Sequence, residues 1–291
     1  MVEDRSLGSK LFNITNAILL GIIALITVLP FLHVIAASFT TSAELAAKKF
    51  VLFPTTWSFD AYRYIFSTDT ILKAMGVSIA VTLGGTMWSM LMSTLMGYGL
   101  SRRDLVGRRY ITFFVIFTML FNGGMIPTFL VVQHTGLMNS LLALIIPVSI
   151  NAFNMIILRS FFQNLPDGLE ESAKIDGCND FGILFRIVIP CSKPAIATIS
   201  LFYAVTYWNT YMHAILYISD SSKWPVQVLL RQIVVLASGL NYDGAAYTDI
   251  PPPEQTVKMA TIVVATIPVL LVYPFLQKYF AKGALLGSVK G

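Results

Sequence analysis

Six apolar stretches of this sequence are each long enough to cross a lipid bilayer as a helix. They run over residues 14–39, 72–100, 110–132, 138–160, 194–218 and 257–279. A bilayer core needs about 20 consecutive apolar residues in helical form. Because little of the 291-residue chain lies outside these stretches, we expect a single all-α, polytopic membrane domain over residues 1–291. No length remains for a separate enzymatic domain.

The composition agrees with a membrane domain. The mean hydropathy is +0.72, and only 12% of the residues are charged. The first stretch could be taken for a signal peptide, because Ala36, Ala37 and Ser38 offer a small-residue site. Its apolar run is too long for that, and acids balance bases at the N-terminus. We expect a retained first helix.

The lysines and arginines favour one orientation in the membrane. If the N-terminus is cytoplasmic, the cytoplasmic segments carry 13 basic residues and the outer segments carry 7. Basic residues accumulate on the cytoplasmic side. We therefore predict that both termini and the 161–193 connection are cytoplasmic, with a long outer loop over residues 219–256. The net charge of +5 then reflects orientation, and no nucleic-acid partner is expected.

The 161–193 connection is unusually charged. Seven ionisable residues lie between Asp167 and Arg186, and placing them in a bilayer would cost about 15–20 kcal/mol. Asp167 and Glu170 have capping-box spacing, with Asp167 as N-cap, and Gly177 suits a left-handed C-terminal turn. We predict a helix over about residues 168–176, with small residues on one face: Leu169, Ser172, Ala173 and Asp176. It could be an ordinary surface loop or a rigid knob that docks into another protein.

A second, amphipathic helix is predicted after Gly177. Its apolar stripe has the spacing i, i+3, i+4, i+7 and consists of Phe181, Leu184, Phe185 and Val188. We expect Pro190 and Pro194 to end this helix before the fifth span. Cys178 and Cys191 are expected to be free thiols.

The charged connection resembles a motif of importer permeases. The EAA motif of binding-protein-dependent ATP-binding-cassette (ABC) transporters runs E-A-A-x3-G-x9-I-x-L-P. The matching residues here are Glu171-Ser172-Ala173, Gly177 and Ile187-Val188-Ile189-Pro190, at the same spacing. Ser172 for alanine and Ile189 for leucine are mild departures, and a pattern of this length is a strong signal.

The resemblance extends over nearly the whole chain and is closest to the carbohydrate branch, in the second, six-span subunit of the maltose-permease type. Phe53-Pro54 with residues 57–62 resembles the first outer loop of that branch. Trp208-Asn209 resembles its W-N-E motif, with Thr210 in place of the acid, and residues 282–291 resemble its C-terminal tail. The stretch from Trp224-Pro225 to Arg231-Gln232 resembles a subgroup that handles larger or complex oligosaccharides. The expected substrate is an oligosaccharide, with complex and acidic types both left open.

The resemblance implies a type I ABC importer permease fold in the bacterial cytoplasmic membrane, working by alternating access. It implies a homologous second permease, two ATPase subunits and an extracytoplasmic substrate-binding protein. ATP and Mg²⁺ would be used by the ATPase, and this chain would bind no cofactor directly. The residues implied at the ATPase joint are Glu170, Glu171, Ser172, Ala173, Asp176, Gly177, Phe181 and Pro190. Glu171 would pair with a basic group of the ATPase.

Polar residues within three spans are candidates for a sugar path. They are Asn122 in span three, Asn151 and Asn154 in span four, and Tyr203, Thr206, Tyr207, Asn209 and Tyr211 in span five. Aromatic faces beside amides and hydroxyls suit sugar rings. Helix packing with an interfacial aromatic belt is the alternative. The small residues Gly85, Ser89, Ser93 and Gly97 in span two are expected to serve packing.

Other functions find little support in the sequence. It has no G-x4-G-K-[ST] phosphate-binding loop, no H-E-x-x-H and no G-x-S-x-G. We therefore expect a non-catalytic subunit without a metal site. A self-sufficient secondary transporter or channel is the alternative. It would need buried charge for ion coupling, and the spans hold almost none.

Overall fold

A computed structural model describes residues 7–48, 50–67, 69–237 and 255–288. Within these ranges every regular element is helical, which confirms the all-α prediction. The α-helices are α1 (Leu7–Ser38), α2 (Ser42–Ala47), α3 (Asp60–Ser67), α4 (Asp69–Ser101), α5 (Arg108–Leu120), α6 (Met125–His134), α7 (Leu142–Ile145), α8 (Ala152–Gln163), α9 (Asp167–Ile175), α10 (Asp180–Ile183), α11 (Ile189–Cys191), α12 (Lys193–Trp208), α13 (Met212–Tyr217), α14 (Val226–Ala237) and α15 (Gln255–Ser288). Short 3₁₀ turns occupy Ile146–Val148 and Ser221–Lys223, and Leu184–Val188 is a π-helix.

The described helices supply up to six membrane spans, in agreement with the prediction. Three are continuous: Gly8–Ser38, Asp69–Ser101 and Gln255–Val272. Three are broken pairs, namely Arg108–Leu120 with Met125–His134, Leu142–Val148 with Ala152–Gln163, and Asp180–Cys191 with Lys193–Trp208. These pairs are bent by 118°, 55° and 87° respectively. The break in the first pair falls at Asn122-Gly123-Gly124, where two adjacent glycines disfavour a continuous helix.

The fifth span is shorter than predicted. The expected helix over residues 194–218 ends at Trp208, and a separate helix, α13, begins at Met212. The Asn209 side chain donates to the carbonyl of Val205 at 2.8 Å, and the backbone N–H of Thr210 donates to Tyr207 at 3.1 Å. These local bonds satisfy the last carbonyls of α12 and compete with helix continuation.

The described chain divides into two compact units. Unit 1 is drawn from Met1–Asp69 and Leu230–Thr266, and unit 2 from Thr70–Leu229 and Ile267–Gly291. The prediction of one permease domain over residues 1–291 stays a prediction. The tail residues 289–291 and the part of the predicted outer loop over 238–254 lie outside the described residues, as does Arg5.

In unit 2, small residues of α4 contact two tyrosines of α12. The Oγ of Ser89 lies 2.7 Å from the hydroxyl of Tyr207, and the Oγ of Ser93 lies 2.6 Å from that of Tyr203. Gly85 faces the Tyr207 ring so closely that an added Cβ would lie 2.7 Å from it. The small residues of span two therefore serve packing, as expected.

In unit 1, one carboxylate organises the segment after α1. Glu44 accepts hydrogen bonds from the backbone N–H and hydroxyl groups of both Thr55 and Thr56, and from the Thr40 hydroxyl. These bonds, above all those of Thr55, hold the pKa of Glu44 far below its usual range. Glu44 therefore connects Thr40 to Thr55 and Thr56.

Candidate functional site

The candidate ATPase-coupling segment is the helix α9 with the turn that follows it. Its start differs from the prediction by one residue, because Pro166 is the N-cap and Asp167 is already helical. The φ of Pro166 is −58° and its ψ is 128°, an extended conformation that a proline adopts readily before a helix. The predicted capping box with Asp167 as N-cap is therefore wrong. Asp167 still lies in the first turn, where the helix dipole favours an acid.

The end of α9 is a Schellman motif, as the glycine predicted. Gly177 has a φ of +80°, and its N–H donates to the carbonyl of Lys174 at 3.0 Å. The N–H of Cys178 reaches back to the carbonyl of Ala173 at 2.9 Å. Asp176, predicted within the helix, is its C-cap. The left-handed turn is the reason this position requires glycine.

Adjacent acids of α9 have different surroundings. The Glu170 carboxylate forms an ion pair with the guanidinium of Arg102, and 22% of the Glu170 side chain is exposed. Glu171 is exposed. Arg102 follows directly after α4, and its guanidinium lies 5.4 Å from the centre of the Tyr98 ring. Sequence reasoning missed Arg102, because its partner is distant in the chain.

The predicted small-residue face of α9 is not one continuous surface. Ala173 is buried in the core of unit 2, whereas Leu169, Ser172 and Asp176 are exposed. A helix turns 100° per residue, and the core takes only one side of α9. Ala173 thus anchors the helix within this chain. The surface left for a partner carries large apolar side chains, with Ile175 86% and Phe181 65% exposed.

The predicted second helix after Gly177 forms, but it is irregular. It begins at Asp180, passes through the π-helix and ends at Cys191, so Pro190 lies within it. Proline has no N–H to donate to the carbonyl of Arg186, and the i→i−5 bonding of the π-helix lies directly before it. The expectation that Pro190 ends the helix is wrong. The chain turns at Ser192 instead, and Pro194 lies in the first turn of α12.

Arg102 lines two cavities, one of which also borders α9. One of about 640 Å³ is polar and lined by Arg102, Arg103, Arg108, Glu170, Glu171 and Lys174, among others. Another of about 660 Å³ is mainly apolar and includes Tyr98, Leu105, Val106, Phe181 and Leu184. Among the described residues, no group of three His, Cys, Asp or Glu side chains could hold a metal ion. The segment thus offers charge and concave apolar surface, without a catalytic constellation.

The aromatic stripe of span five is largely buried. Tyr203 is 2% and Tyr207 1% exposed, and both pack into the core of unit 2. The Tyr203 hydroxyl also accepts from the backbone N–H of Asn151 at 2.9 Å. This burial fits the packing alternative, and the assignment of Tyr203 and Tyr207 to a sugar path stays a prediction. Tyr211 lies beyond the end of α12 and is half-buried.

Three of the candidate asparagines lie at breaks in the spans. Asn122 accepts from the N–H of Gly124 at 2.9 Å before α6, and Asn151 is the N-cap of α8. Asn209 is the C-cap of α12. All three are exposed, as is Thr206, whereas Asn154 is buried. Non-helical backbone within a membrane is tolerated where it is buried in protein or lines a watery cavity, so the path assignment stays a prediction.

An ordered cluster also connects Asn139 to residues 220–223 of unit 2. Asn139 has a φ of 58°, and its side-chain oxygen accepts from the N–H of Asp220 at 3.0 Å. Lys223 donates to the Asn139 carbonyl at 3.0 Å and pairs with Asp220. Hydrogen bonds from Ser222 lower the pKa of Asp220. The start of the predicted outer loop is therefore structured.

Known proteins resemble this chain over most of its length. The family model for "Binding-protein-dependent transport system inner membrane component" matches residues 89–285. A polygalacturonan/rhamnogalacturonan transport system permease protein, YtcP of Bacillus subtilis (strain 168), is 68% identical over 284 residues, covering 97% of this chain and 99% of the relative. Protein LplC of the same organism is 53% identical, covering 98% and 96%.

Two solved structures of ABC transporters also resemble this chain. One is a bacterial ABC transporter involved in the import of the acidic polysaccharide alginate. A chain of it superposes with a TM-score of 0.86 at 35% identity, covering 94% of this chain and 98% of that one. A chain of a bacterial alginate ABC transporter in complex with an alginate pentasaccharide-bound periplasmic protein reaches a TM-score of 0.57 at 15% identity, which indicates the shared fold alone.

Proposed function

The chain belongs to the family of binding-protein-dependent transport system inner membrane components, and we propose that this member passes acidic, galacturonate-containing oligosaccharides through the membrane. It is a non-catalytic, multi-pass permease of a carbohydrate ABC importer. The observation that carries the proposed substrate is the 68% identity, over almost the whole length, to a permease named for polygalacturonan and rhamnogalacturonan. The alginate transporter, at 35% identity, is also named for an acidic polysaccharide.

The charge of the described spans is compatible with an anionic substrate. Neither Asp nor Glu occurs in α1, α5, α6, α8, α12 or the described part of α15. The helix α4 has only Asp69 and the segment Asp180–Cys191 only Asp180, each as its first residue. Carboxylates inside a membrane repel an anion strongly, because the local dielectric constant is low. A uronate chain would thus meet no such repulsion from these helices.

The partners are a second, homologous permease, two ATPase subunits and an extracytoplasmic binding protein. ATP and Mg²⁺ are bound by the ATPase. The exposed apolar side chains of Ile175, Phe181 and Phe185 in the α9–α10 region support a protein partner there. Glu170 takes no direct part in that contact, because it pairs with Arg102. Glu171 is not paired with Arg102, and its side chain is exposed at the surface of α9.

The sugar path is proposed at the breaks in the spans. Asn122, Asn151 and Asn209 present amide groups at three non-helical positions, with Thr206 and Tyr211 near the last of them. Amides and hydroxyls can bond sugar hydroxyls and carboxylates alike. Alternating access would expose these groups to one side of the membrane at a time. A secondary transporter is the weaker candidate, because family membership ties transport to a binding protein.

The substrate proposal is tested by uptake in cells that lack this chain. We expect loss of uptake of labelled oligogalacturonides, restored by the intact gene, with uptake of a neutral malto-oligosaccharide unchanged. A deletion strain that still imports oligogalacturonides at the wild-type rate would contradict the assignment. If the deletion strain lost only the uptake of the neutral malto-oligosaccharide, the substrate would be a neutral oligosaccharide instead.

A further inference from the structure

Arg102 connects two parts of unit 2 that are distant in sequence. Its side chain is only 16% exposed, and the guanidinium forms the ion pair with Glu170 of α9. The Tyr98 ring lies against the same guanidinium, and Asp104 lies 4.0 Å from its Nε. A planar guanidinium can stack on a ring while its N–H groups hold a carboxylate, and lysine cannot do both. The contact joins the cytoplasmic end of α4 to α9.

A second contact fixes α9 at the same place. Ala173, one turn after Glu170, is buried in the cluster that contains Tyr98, Phe162 and Leu184. The Tyr98 and Phe162 rings meet edge to face at 6.5 Å. The helix α9 is therefore held on α4 by two contacts, the burial of Ala173 and the Arg102–Glu170 ion pair. A shift of α9 along α4 would break both contacts.

The middle of α4, at Ser89 and Ser93, is hydrogen-bonded to α12. The Ser89–Tyr207 and Ser93–Tyr203 hydrogen bonds link the two helices inside the core. A displacement of α9 that carries α4 with it would thus reach α12. The chain connection from α9 to α12 offers a second route, but it passes through the irregular π-helix and the bend at Ser192.

We propose that Arg102 is a positioning residue, a latch that makes α9 and α4 move as one body when the ATPase acts on α9. This inference rests on the proposed function, since it assumes that α9 receives the movement of the ATPase. The ion pair transmits that movement directly into α4, and from there to α12. Without the ion pair, α9 would keep only the apolar contact of Ala173, and its movement would be transmitted to α4 incompletely.

The test uses the complete importer in proteoliposomes, with ATPase activity and uptake of oligogalacturonide measured together. Arg102→Gln and Glu170→Gln should each lower the sugar transported per ATP by about tenfold, within the usual range of coupling between sites. The exchanged pair, Arg102→Glu with Glu170→Arg, should recover a large part of that loss. Arg109→Gln, which removes the same charge from an exposed position of α5, should remain close to wild type.

Cross-linking provides an independent test if the neutral variants assemble poorly. Cysteines at 102 and 170, in a chain lacking Cys178 and Cys191, replace the ion pair, and a short bis-maleimide then joins them. The latch predicts low coupling before cross-linking and recovery after it. Blocked transport or no recovery after cross-linking would overturn the proposal, and so would wild-type coupling in both neutral variants.

Failure of the latch and failure of the proposed substrate are distinguishable. A wild-type complex whose ATPase is not stimulated by its binding protein with oligogalacturonide would contradict the substrate. Suppose instead that the loaded binding protein stimulates the wild-type ATPase, but that substitution of Arg102 leaves the sugar transported per ATP unchanged. This result would contradict the latch alone.

Discussion

Glu170 and Glu171 are adjacent in the chain, yet their surroundings assign them different roles. Glu170 faces the chain's own Arg102, and Glu171 faces outward. Removing one member of a partly buried pair leaves the other charge without compensation, which costs more than the loss of an exposed charge. Substitution of Glu170 should therefore affect this chain itself. Substitution of Glu171 should affect only the contact with a partner.

Gly177 provides a test at the level of one residue. An added Cβ would meet nothing within 4 Å, but the φ of +80° disfavours any side chain. Gly177→Ala should therefore destabilise the end of α9 by about 1–2 kcal/mol through backbone strain alone. We expect reduced sugar uptake at normal membrane insertion. Gly177→Asn should be milder, because asparagine tolerates the left-handed region better.

Gly168 is the matched control for this variant. It lies within α9, also with nothing within 4 Å of an added Cβ, and its φ is not positive. Gly168→Ala should leave uptake unchanged. Equal uptake in Gly177→Ala and Gly168→Ala would contradict the role of the left-handed turn.

At the scale of elements, the contact of α4 with α12 depends on small residues. Gly85 and Gly84 are neighbours in α4 with very different surroundings. A Cβ at Gly85 would lie 2.7 Å from the Tyr207 ring, whereas one at Gly84 would approach only Ile145, at 3.9 Å. Gly85→Ala should therefore destabilise the folded permease by about 1–3 kcal/mol through overpacking.

Thermal unfolding of the purified complex in detergent measures this difference. We expect a lower midpoint and a lower yield for Gly85→Ala, with Gly84→Ala at or slightly above wild type, since alanine favours helix. If both variants unfold at the same temperature, the close approach of α4 and α12 would be refuted.

At the scale of the whole molecule, orientation is a prediction that labelling can decide. Ser172 in α9 and Ser221 in the outer region are both exposed in the structure. Single cysteines at these positions, in a chain lacking Cys178 and Cys191, should react differently with a membrane-impermeant maleimide. In intact cells we expect labelling at 221 only, with 172 reacting after permeabilisation. The opposite pattern would invert the orientation derived from the basic residues.

The sequence alone determined the helical class, the number of spans and the left-handed end of α9. These properties depend on local causes. Apolar length sets whether a helix can cross a bilayer, and the backbone groups of such a helix are satisfied within it. A glycine at the end of a charged, helical segment similarly acts within a few residues.

Only the tertiary structure decided which side chains of these elements face one another. The spacing of Tyr203 and Tyr207 placed them on one face of span five, but it did not say that Ser93 and Ser89 of α4 would cover that face. The resemblance placed both Glu170 and Glu171 at the ATPase joint, and only the packing of α9 against Arg102, which follows a different helix, turned Glu170 towards this chain. Periodicity defines the faces of a helix, whereas the partner of each face depends on long-range packing, and no local pattern encodes that partner.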